Sequence, residues 1–388
     1  MTTDTRVDEL ERALVEGALS RDQFLKRGAA VGLSMSALGA LLAKAGPASG
    51  AAHKTIKAAW VYIGPIGDAG WTHQHNQGRL AVEKALGSQV KTSYVENVPE
   101  TPAVVTRIVR QFAQKGNDII FGTSFGYMDP MLAVAKDFPN TKFEHCSGFK
   151  TSANMGNYFG AMEEARYLTG IVAGKKTKVN KIGYVAAFPI PEVVRGLNAF
   201  TLGVRAVNPK ATVRVVWTST WYDPSKERSA AESLLSVGVD VLGQHQDTAA
   251  PGQAAQAKGK YWIAYNADKR EFAPKAFLTG PVWNWGGYYT RRVNDVTNGT
   301  WKPDQFYGTM KSGMIRIAPP SNLVDAATKA LVAKKVAEIR SGAFNVLSGP
   351  IKDQSGKVRI PAGQVMSLKD ALAWQWLVEG VEGSIPKA

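Results

Sequence analysis

From residue 54 onward, short apolar runs alternate with amphipathic segments along the chain. Ile56–Ile63 is an apolar run typical of a strand, and Pro102–Lys115 carries its large apolar residues at helical spacing. The alternation continues through Arg79–Leu86, Val90–Val98, Asp118–Gly122, Asp129–Asp137, Lys142–Ser147, Asn157–Ala161 and Glu163–Lys176. This pattern predicts βαβ units on a parallel sheet.

The pattern begins again near residue 180. Strand-like and helical segments follow in the order Lys181–Ala187, Glu192–Val207, Thr212–Ser219, Lys226–Val237, Val239–Leu242, Lys260–Tyr265, Ala276–Thr279, Trp285–Thr297 and Asp325–Arg340. The tail predicts a hairpin of Val346–Ile351 with Val358–Ile360, and then a helix at Ser367–Trp376. Two α/β halves predict a two-lobe protein with a cleft between the lobes.

The first 52 residues have the pattern of an export signal. Ser20–Lys26 resembles a twin-arginine motif, although Asp22 stands at the position of the second arginine, which leaves the export route open. The apolar stretch Gly28–Leu42 is too short to span a bilayer, and small residues follow it. We expect cleavage near Ala51–Ala52 and a soluble, exported chain without a lipid anchor; an uncleaved anchor is the alternative.

Length, charge and cysteine content narrow the class of protein. A chain of 388 residues is longer than one typical core, so two domains are expected. The formal net charge is +15, but lysine and arginine are spread thinly and no nucleic-acid motif occurs, so we expect no nucleic-acid partner. The single cysteine, Cys146, excludes an intramolecular disulfide and a cysteine-based zinc site.

The segment Gly64–Gly78 follows the first strand and is rich in glycine. Gly64, Gly67 and Gly70 let the backbone turn and approach a neighbour closely. Asp68 and Trp71 then offer one hydrogen-bond acceptor and one flat ring. Because α/β proteins hold ligands at the carboxyl ends of their strands, we expect this loop to form one wall of a binding cleft.

Polar and aromatic residues recur just after the other predicted strands. They comprise Ser124 to Tyr127, Phe188, Trp221, Gln244 to Asp247, Asn266, Asp268 and Trp283. The carboxyl ends of parallel strands share one rim, so these side chains are expected to meet. The rings suit a flat ligand, and the aspartates suit its N–H groups. We predict ligand contacts from Asp68, Trp71, Phe125, Tyr127, Trp221, Asp247, Asp268 and Trp283.

Two other chemistries have weaker support. Gly122–Gly126 matches the Gly-x-Ser-x-Gly elbow of hydrolases, but too few strands precede it and no histidine follows His245. His73 and His75 could ligate a metal, although two histidines at this spacing more often cap or pack. The glycine spacing lacks the lysine of a phosphate loop. We therefore predict no enzyme activity, no metal and no cofactor.

Three motifs together resemble the basic membrane protein (BMP) family of ABC-transporter substrate-binding proteins. In Gly64–His73, Asp68 keeps the family's acid, and Trp71 stands for its aromatic residue. Trp217–Pro224 matches a Trp-x-x-x-aromatic-x-Asp-Pro motif. Tyr265–Asp268, with Pro274 and Thr279–Gly280, matches a third motif. The resemblance implies the two-lobe ribose-binding (type I) fold, a purine nucleoside ligand, and a membrane permease as partner.

Departures from the family pattern change the expected ligand. Where nucleoside binders carry a lysine that grips the ribose, this chain has Trp283, and Gln244–Asp247 replaces a small glycine-rich turn. We therefore expect a purine base such as adenine. A nucleoside receptor, a sensor and a purine or nucleoside hydrolase are the alternatives. The predicted lobes are 53–178 plus 283–312, and 179–282 plus 313–388, in a periplasmic monomer.

Overall fold

The computed structural model describes residues 10, 21–30, 33–34, 36, 38–39, 41, 54–67 and 69–386. The chain divides into two compact units, Met1–Lys54 and Thr55–Ala388. In the first unit, Arg21–Ala30 forms helix α1. Most of the predicted export signal, with its cleavage site at Ala51–Ala52, lies outside the described residues. No described helix is both long enough and apolar enough to cross a membrane.

In the second unit, strands and helices alternate as the hydrophobic pattern predicts. The first part contains β1 (Ile56–Val61), α2 (Trp71–Leu86), β2 (Val90–Val95), α3 (Pro102–Gln114), β3 (Ile119–Gly122), α4 (Met128–Asp137), β4 (Lys142–Cys146), β5 (Met155–Gly160) and α5 (Met162–Lys176). The second part contains β6 (Lys181–Ala186), α6 (Pro191–Val207), β7 (Thr212–Trp217), α7 (Pro224–Ser236), β8 (Val241–His245), α8 (Ala250–Ala257), β9 (Tyr261–Ile263) and β10 (Phe277–Thr279).

The remaining elements lead the chain back to the first sheet and then to the second. They are β11 (Pro281–Trp283), α9 (Gly286–Thr297), β12 (Gln305–Gly308), β13 (Ile315–Ile317), α10 (Ala326–Ser341), β14 (Ile351–Lys352), β15 (Val358–Ile360), α11 (Leu368–Leu372) and β16 (Val381–Glu382). Strands β11 and β13 pair antiparallel. Strands β14 and β15 form a hairpin as predicted, but its first strand covers Ile351–Lys352 instead of Val346–Ile351. The helix predicted at Ser367–Trp376 covers only Leu368–Leu372.

Two parallel sheets organise the described part of this unit. The first has the strand order β12-β5-β4-β3-β1-β2, and the second has the order β10-β9-β8-β6-β7-β16. Every strand pair within both sheets is parallel. The chain crosses from one sheet to the other after β5, after β10 and after β12, which gives the predicted α/β, two-lobe architecture of the type I kind. The lobe boundaries at residues 178, 282 and 312 stay a prediction.

The predicted start of one helix is wrong: helix α2 begins at Trp71, eight residues before the predicted start at Arg79. Gly78 ends the predicted loop Gly64–Gly78, but it lies inside the helix. A Cβ atom there would lie 2.8 Å from both Cβ of Trp285 and Cδ2 of Tyr289. Gly78 therefore lets α2 pack closely against α9, and its role is steric rather than conformational.

Replacing Gly78 with alanine is expected to destabilise the protein by about 1–3 kcal/mol, the usual cost of overfilling a packed contact. Gly287→Ala is the matched control, because Gly287 is exposed in α9 and a Cβ there meets nothing within 4 Å. The control should be neutral or slightly stabilising, since alanine is the better helix former. Urea denaturation of both variants measures the difference, and equal stabilities would contradict this role of Gly78.

Candidate functional site

A cavity with about 390 Å³ of empty space lies between the carboxyl ends of the two sheets. The first sheet contributes the residues that follow β1, β3 and β4, and the second contributes those that follow β6, β7, β8 and β9. The lining consists of Ile63, Trp71, Thr123, Ser124, Phe125, Ser147, Glu192, Trp221, His245, Asp247, Tyr265 and Asn266. Parallel strands place these residues at facing rims, as expected for a cleft at strand ends.

Trp71 forms the flat wall on the side of the first sheet. Its Nε1 donates to the carbonyl oxygen of Thr123 at 2.6 Å, which fixes the ring in its plane. The rings of Trp283 and Trp285 both meet it edge-on, with centroids 5.6 Å away. The indole is therefore held by one hydrogen bond and two aromatic contacts, and it remains partly exposed towards the cavity.

The opposite wall carries a second indole, that of Trp221. Phe188 packs edge-on against this ring with centroids 5.0 Å apart. In the described part of the chain, the buried Nε1 of Trp221 and the buried Nδ1 of His245 have no hydrogen-bond partner. Buried polar atoms nearly always find partners, so these two atoms are candidate ligand contacts.

Asn266 lines the cavity and hydrogen-bonds both to Asp247, which also lines it, and to the buried Trp283 behind it. Its Nδ2 donates to Oδ1 of Asp247 at 2.8 Å, and its Oδ1 accepts from Nε1 of Trp283 at 3.1 Å. Asn266 and Ser147 both have left-handed backbone conformations, with φ values of 70° and 66°. Left-handed backbone at non-glycine residues is uncommon and often occurs at functional sites. Here both residues line the cavity.

Glu192 and His245 are titratable residues that lie close together on the cavity wall of the second sheet. Oε1 of Glu192 lies 3.5 Å from Nε2 of His245. Burial raises the pKa of Glu192 to about 7, although Arg195 and Arg166 act in the opposite direction. Burial, with Arg166 and Arg195 nearby, lowers the pKa of His245 well below its usual range. The histidine is therefore neutral at pH 7, so each ring nitrogen can act as donor or acceptor according to its tautomer.

The structure brings together four of the eight predicted ligand residues. Trp71, Phe125, Trp221 and Asp247 all line the cavity. Asp68 lies outside the described residues. The other three predicted contacts, Tyr127, Asp268 and Trp283, do not line this cavity and are corrected next.

The three corrections have local causes. The short 3₁₀ turn Phe125–Tyr127 leaves Phe125 exposed and directs Tyr127 into the core, where its hydroxyl donates to the carbonyl oxygen of Val98. Asp268 is exposed and pairs with Arg270 at 2.7 Å. Trp283 is fully buried behind Trp71 and stacks on Trp285, with centroids 4.4 Å apart.

Sequence analysis missed Glu192 as a site residue. An acid in the first turn of a helix is common because it complements the helix dipole, so it attracts no attention by itself. Its position in the first turn of α6, at the end of the loop that follows β6, was the available signal, since the same rule identified Trp71 and Trp221.

The elbow-like Ser124, His145 and His75 have structural partners. Oγ of Ser124 donates to Oε1 of Glu100 at 2.6 Å. His145 contacts the carbonyl oxygen of Ser124, not its hydroxyl, at 2.8 Å. Nδ1 of His75 lies 2.6 Å from the hydroxyl of Tyr289, and the ring of His75 stacks on Trp285. Among the described residues, no group of three or more histidines, cysteines and carboxylates could hold a metal ion.

Comparisons with known proteins agree with this architecture. Residues 55–343 match the family model for PnrA-like ABC transporter substrate-binding proteins. A purine-binding protein of Brucella abortus (strain 2308) is 42% identical over 340 residues, which cover 87% of this chain and 97% of that protein. TsgA13 of Haloferax volcanii, named as an ABC transporter glucose-binding protein, is 41% identical over 342 residues, covering 88% of this chain and 83% of that protein.

Among solved structures, an ABC transporter solute-binding protein from Conexibacter woesei DSM 14684 superposes with a TM-score of 0.62 at 23% identity. The match covers 75% of this chain and 98% of that chain. At this level of identity the likeness establishes the fold.

Replacing Glu192 with glutamine is expected to reduce the dependence of stability on pH. Because its pKa is raised, the folded protein favours the protonated form of Glu192. The contribution of protonated Glu192 to stability is fully present below about pH 4.5 and is lost as pH rises through about 7. A neutral amide avoids that loss. The variant should therefore gain up to about 3 kcal/mol relative to the unmodified protein as pH rises.

Urea denaturation at about pH 5 and about pH 8 measures this difference. Glu232→Gln is the control, because the Glu232 side chain is 54% exposed and pairs with Arg228 at the surface. The control should leave the pH dependence unchanged. If Glu192→Gln behaves like the control, Glu192 is not the acid that burial keeps protonated.

Proposed function

We propose that this chain, which belongs to the family of PnrA-like ABC transporter substrate-binding proteins, captures a purine nucleobase between its two sheets and delivers it to a membrane permease. The observation that carries the proposal is the pair of indoles, Trp71 and Trp221, on opposite walls of one cavity. We further propose that the protein acts outside the cytoplasm as a monomer, without a catalytic step or a nucleic-acid partner.

Two facing aromatic walls favour a flat ligand. Stacking of a base on an aromatic side chain contributes about 1–3 kcal/mol, and it tolerates any base because every base has a π face. Trp71 is well suited because its own N–H is already bonded to Thr123, so the ring face is what it offers a ligand. The name of the Brucella relative, a purine-binding protein, agrees with this ligand class.

A polar atom of the opposite wall matches the edge of a purine. Nδ1 of the neutral His245 is a donor or an acceptor. It is buried without a partner among the described residues, and leaving such an atom unsatisfied costs about 1–3 kcal/mol. A purine presents ring-nitrogen acceptors and N–H donors along one edge, so a bound purine would satisfy it.

The choice of a base over a nucleoside needs support other than Trp283, because Trp283 does not occupy the cavity. The lining of the cavity supplies it. Among the described lining residues there is no lysine or arginine to bind ribose hydroxyls. A compact base, with adenine as the first candidate, is therefore favoured.

Calorimetry with ligand-stripped protein tests the ligand class. We expect adenine to bind more tightly than adenosine, guanosine and guanine. Glucose belongs in the panel because the Haloferax relative is named for it, and we expect no binding of glucose. Tighter binding of adenosine than of adenine would overturn the choice of a base, and binding of glucose alone would overturn the purine.

The same samples distinguish binding from catalysis. Ser124 donates to Glu100 and has no histidine at its hydroxyl among the described residues, so we expect adenosine to remain intact after long incubation. Release of adenine, followed by chromatography, would support a nucleoside hydrolase instead.

The two walls meet at a backbone contact that involves Gly70. A Cβ atom at Gly70 would overlap the carbonyl oxygen of Asp247 and lie 3.0 Å from its Cα. Gly70 precedes α2 on the side of the first sheet, whereas Asp247 follows β8 of the second. Glycine is therefore required for the two loops to approach this closely, and the closed cleft depends on the missing side chain.

Replacing Gly70 with alanine is expected to weaken adenine binding at least tenfold, because the methyl group would prevent the Gly70–Asp247 contact and hold the cleft open. Gly67→Ala, in the same loop, is the matched control, since a Cβ at this exposed position meets nothing within 4 Å. Titration calorimetry measures both affinities. If both variants bind adenine as the unmodified protein does, closure does not depend on this contact.

A further inference from the structure

A second and larger cavity adjoins the first. It has about 850 Å³ of empty space and shares Phe125, Ser147 and Glu192 with the first cavity as common walls. It extends along the edge of the first sheet, past β5 and β12, to the start of α6 and to α11. We call this space the side groove. A ligand in the first cavity could therefore extend into the side groove past Phe125.

The side groove is bordered by large apolar side chains that are exposed to solvent. Phe125, Phe149, Leu368 and Leu372 are between 38% and 60% exposed, and all four line it. Single exposed apolar residues are ordinary on protein surfaces, but several around one concave space indicate a binding site. The groove therefore favours an apolar occupant.

Three polar side chains of the side groove already make hydrogen bonds within the protein. Nε of Arg195 donates to Glu163 at 3.2 Å, and the hydroxyl of Tyr307 donates to Glu163 at 2.9 Å. Nδ2 of Asn157 donates to the carbonyl oxygen of Lys150 at 2.6 Å. Sugar hydroxyls entering the groove would have to compete for these groups. The side groove is thus poorly suited to a ribose and well suited to a hydrocarbon group.

One wall comes from the C-terminal part of the chain. Leu368 and Leu372 belong to α11, which lies beyond the segment 55–343 that matches the family model. Nη1 of Arg195 donates to the carbonyl oxygen of Ala371 at 3.2 Å and so holds α11 against α6. This wall is therefore a fixed part of the fold that the family-matched segment does not itself provide.

We infer that the side groove holds an apolar substituent of the ligand, and that the ligand class is a purine carrying an N-alkyl or N-aryl group. This inference rests on the proposed function, because it requires a purine ring in the first cavity. The ring stacks between the indoles, and the substituent passes Phe125 into the groove. Contact with the rings and leucines of the groove then removes its apolar surface from water.

Titration calorimetry of ligand-stripped protein with adenine, N6-benzyladenine and 9-benzyladenine tests the inference. The two isomers carry the same group at different positions and so cover two orientations of the base. We expect one of them to bind at least about tenfold more tightly than adenine, since burying a ring the size of phenylalanine contributes this much or more. The other isomer should bind more weakly, because its benzyl group would point into a wall.

A variant of the side groove then tests whether the higher affinity of the benzyl isomer comes from contacts in the groove. In Leu368→Ser/Leu372→Ser, the preferred benzyl isomer should lose at least about fivefold in affinity, whereas adenine should stay within about twofold, because neither leucine lines the first cavity. Leu80→Ser is the matched control: Leu80 is 38% exposed on α2 and lines neither cavity. If the double variant does not fold, Phe149→Ser removes an exposed groove ring instead.

The outcomes separate the two proposals. If adenine binds but both benzyl isomers bind no more tightly, the side groove is not a ligand subsite and this inference fails alone. An equal loss for adenine and the benzyl isomer in the groove variant also overturns it. If no purine binds, the proposed function and this inference fail together.

Discussion

A stack of two fully buried indoles supports the cavity wall that Trp71 forms. Trp283 lies on Trp285 with a centroid distance of 4.4 Å, where the chain passes from β11 into α9 and so from one sheet to the other. Trp71 meets both rings edge-on. Offset and edge-to-face contacts each add to the gain from burial, so the three rings resist independent movement. One wall of the cavity is in this way built onto a crossing between the two sheets.

A buried arginine, Arg166, packs against the cavity wall that the second sheet contributes. The guanidinium of Arg166 lies 3.7 Å from the ring centroid of Tyr265, and its Nη1 donates to the carbonyl oxygen of Gln244 at 2.6 Å. This cation lies at the base of the strand ends that carry His245 and helps to lower the pKa of that histidine. The side chains that line the cavity thus include a neutral imidazole, and the positive charge stays behind them.

Hydrophobic periodicity predicted the order of strands and helices, the second sheet from residue 181 and the C-terminal hairpin, because buried parallel strands read as apolar runs. The rule that side chains after strands share a rim placed Trp71, Phe125, Trp221 and Asp247 at one cavity. It failed at Tyr127 and Trp283, because sequence spacing does not reveal which way a residue turns after its strand. The start of α2 was predicted too late for a related reason: Gly78, a glycine needed for helix packing, looks the same in sequence as a loop glycine.

The contact between Gly70 and the backbone of Asp247 separates two tasks of a substrate-binding protein. A permease must distinguish loaded from empty protein, whereas the binding cavity must distinguish one small molecule from another. On the closure proposed above, main-chain atoms in the two loops, rather than the size of the bound molecule, would set the limit of closure. Ligands that differ in their outer groups would leave the same exterior, so one transporter could accept a family of related compounds through a single docking geometry.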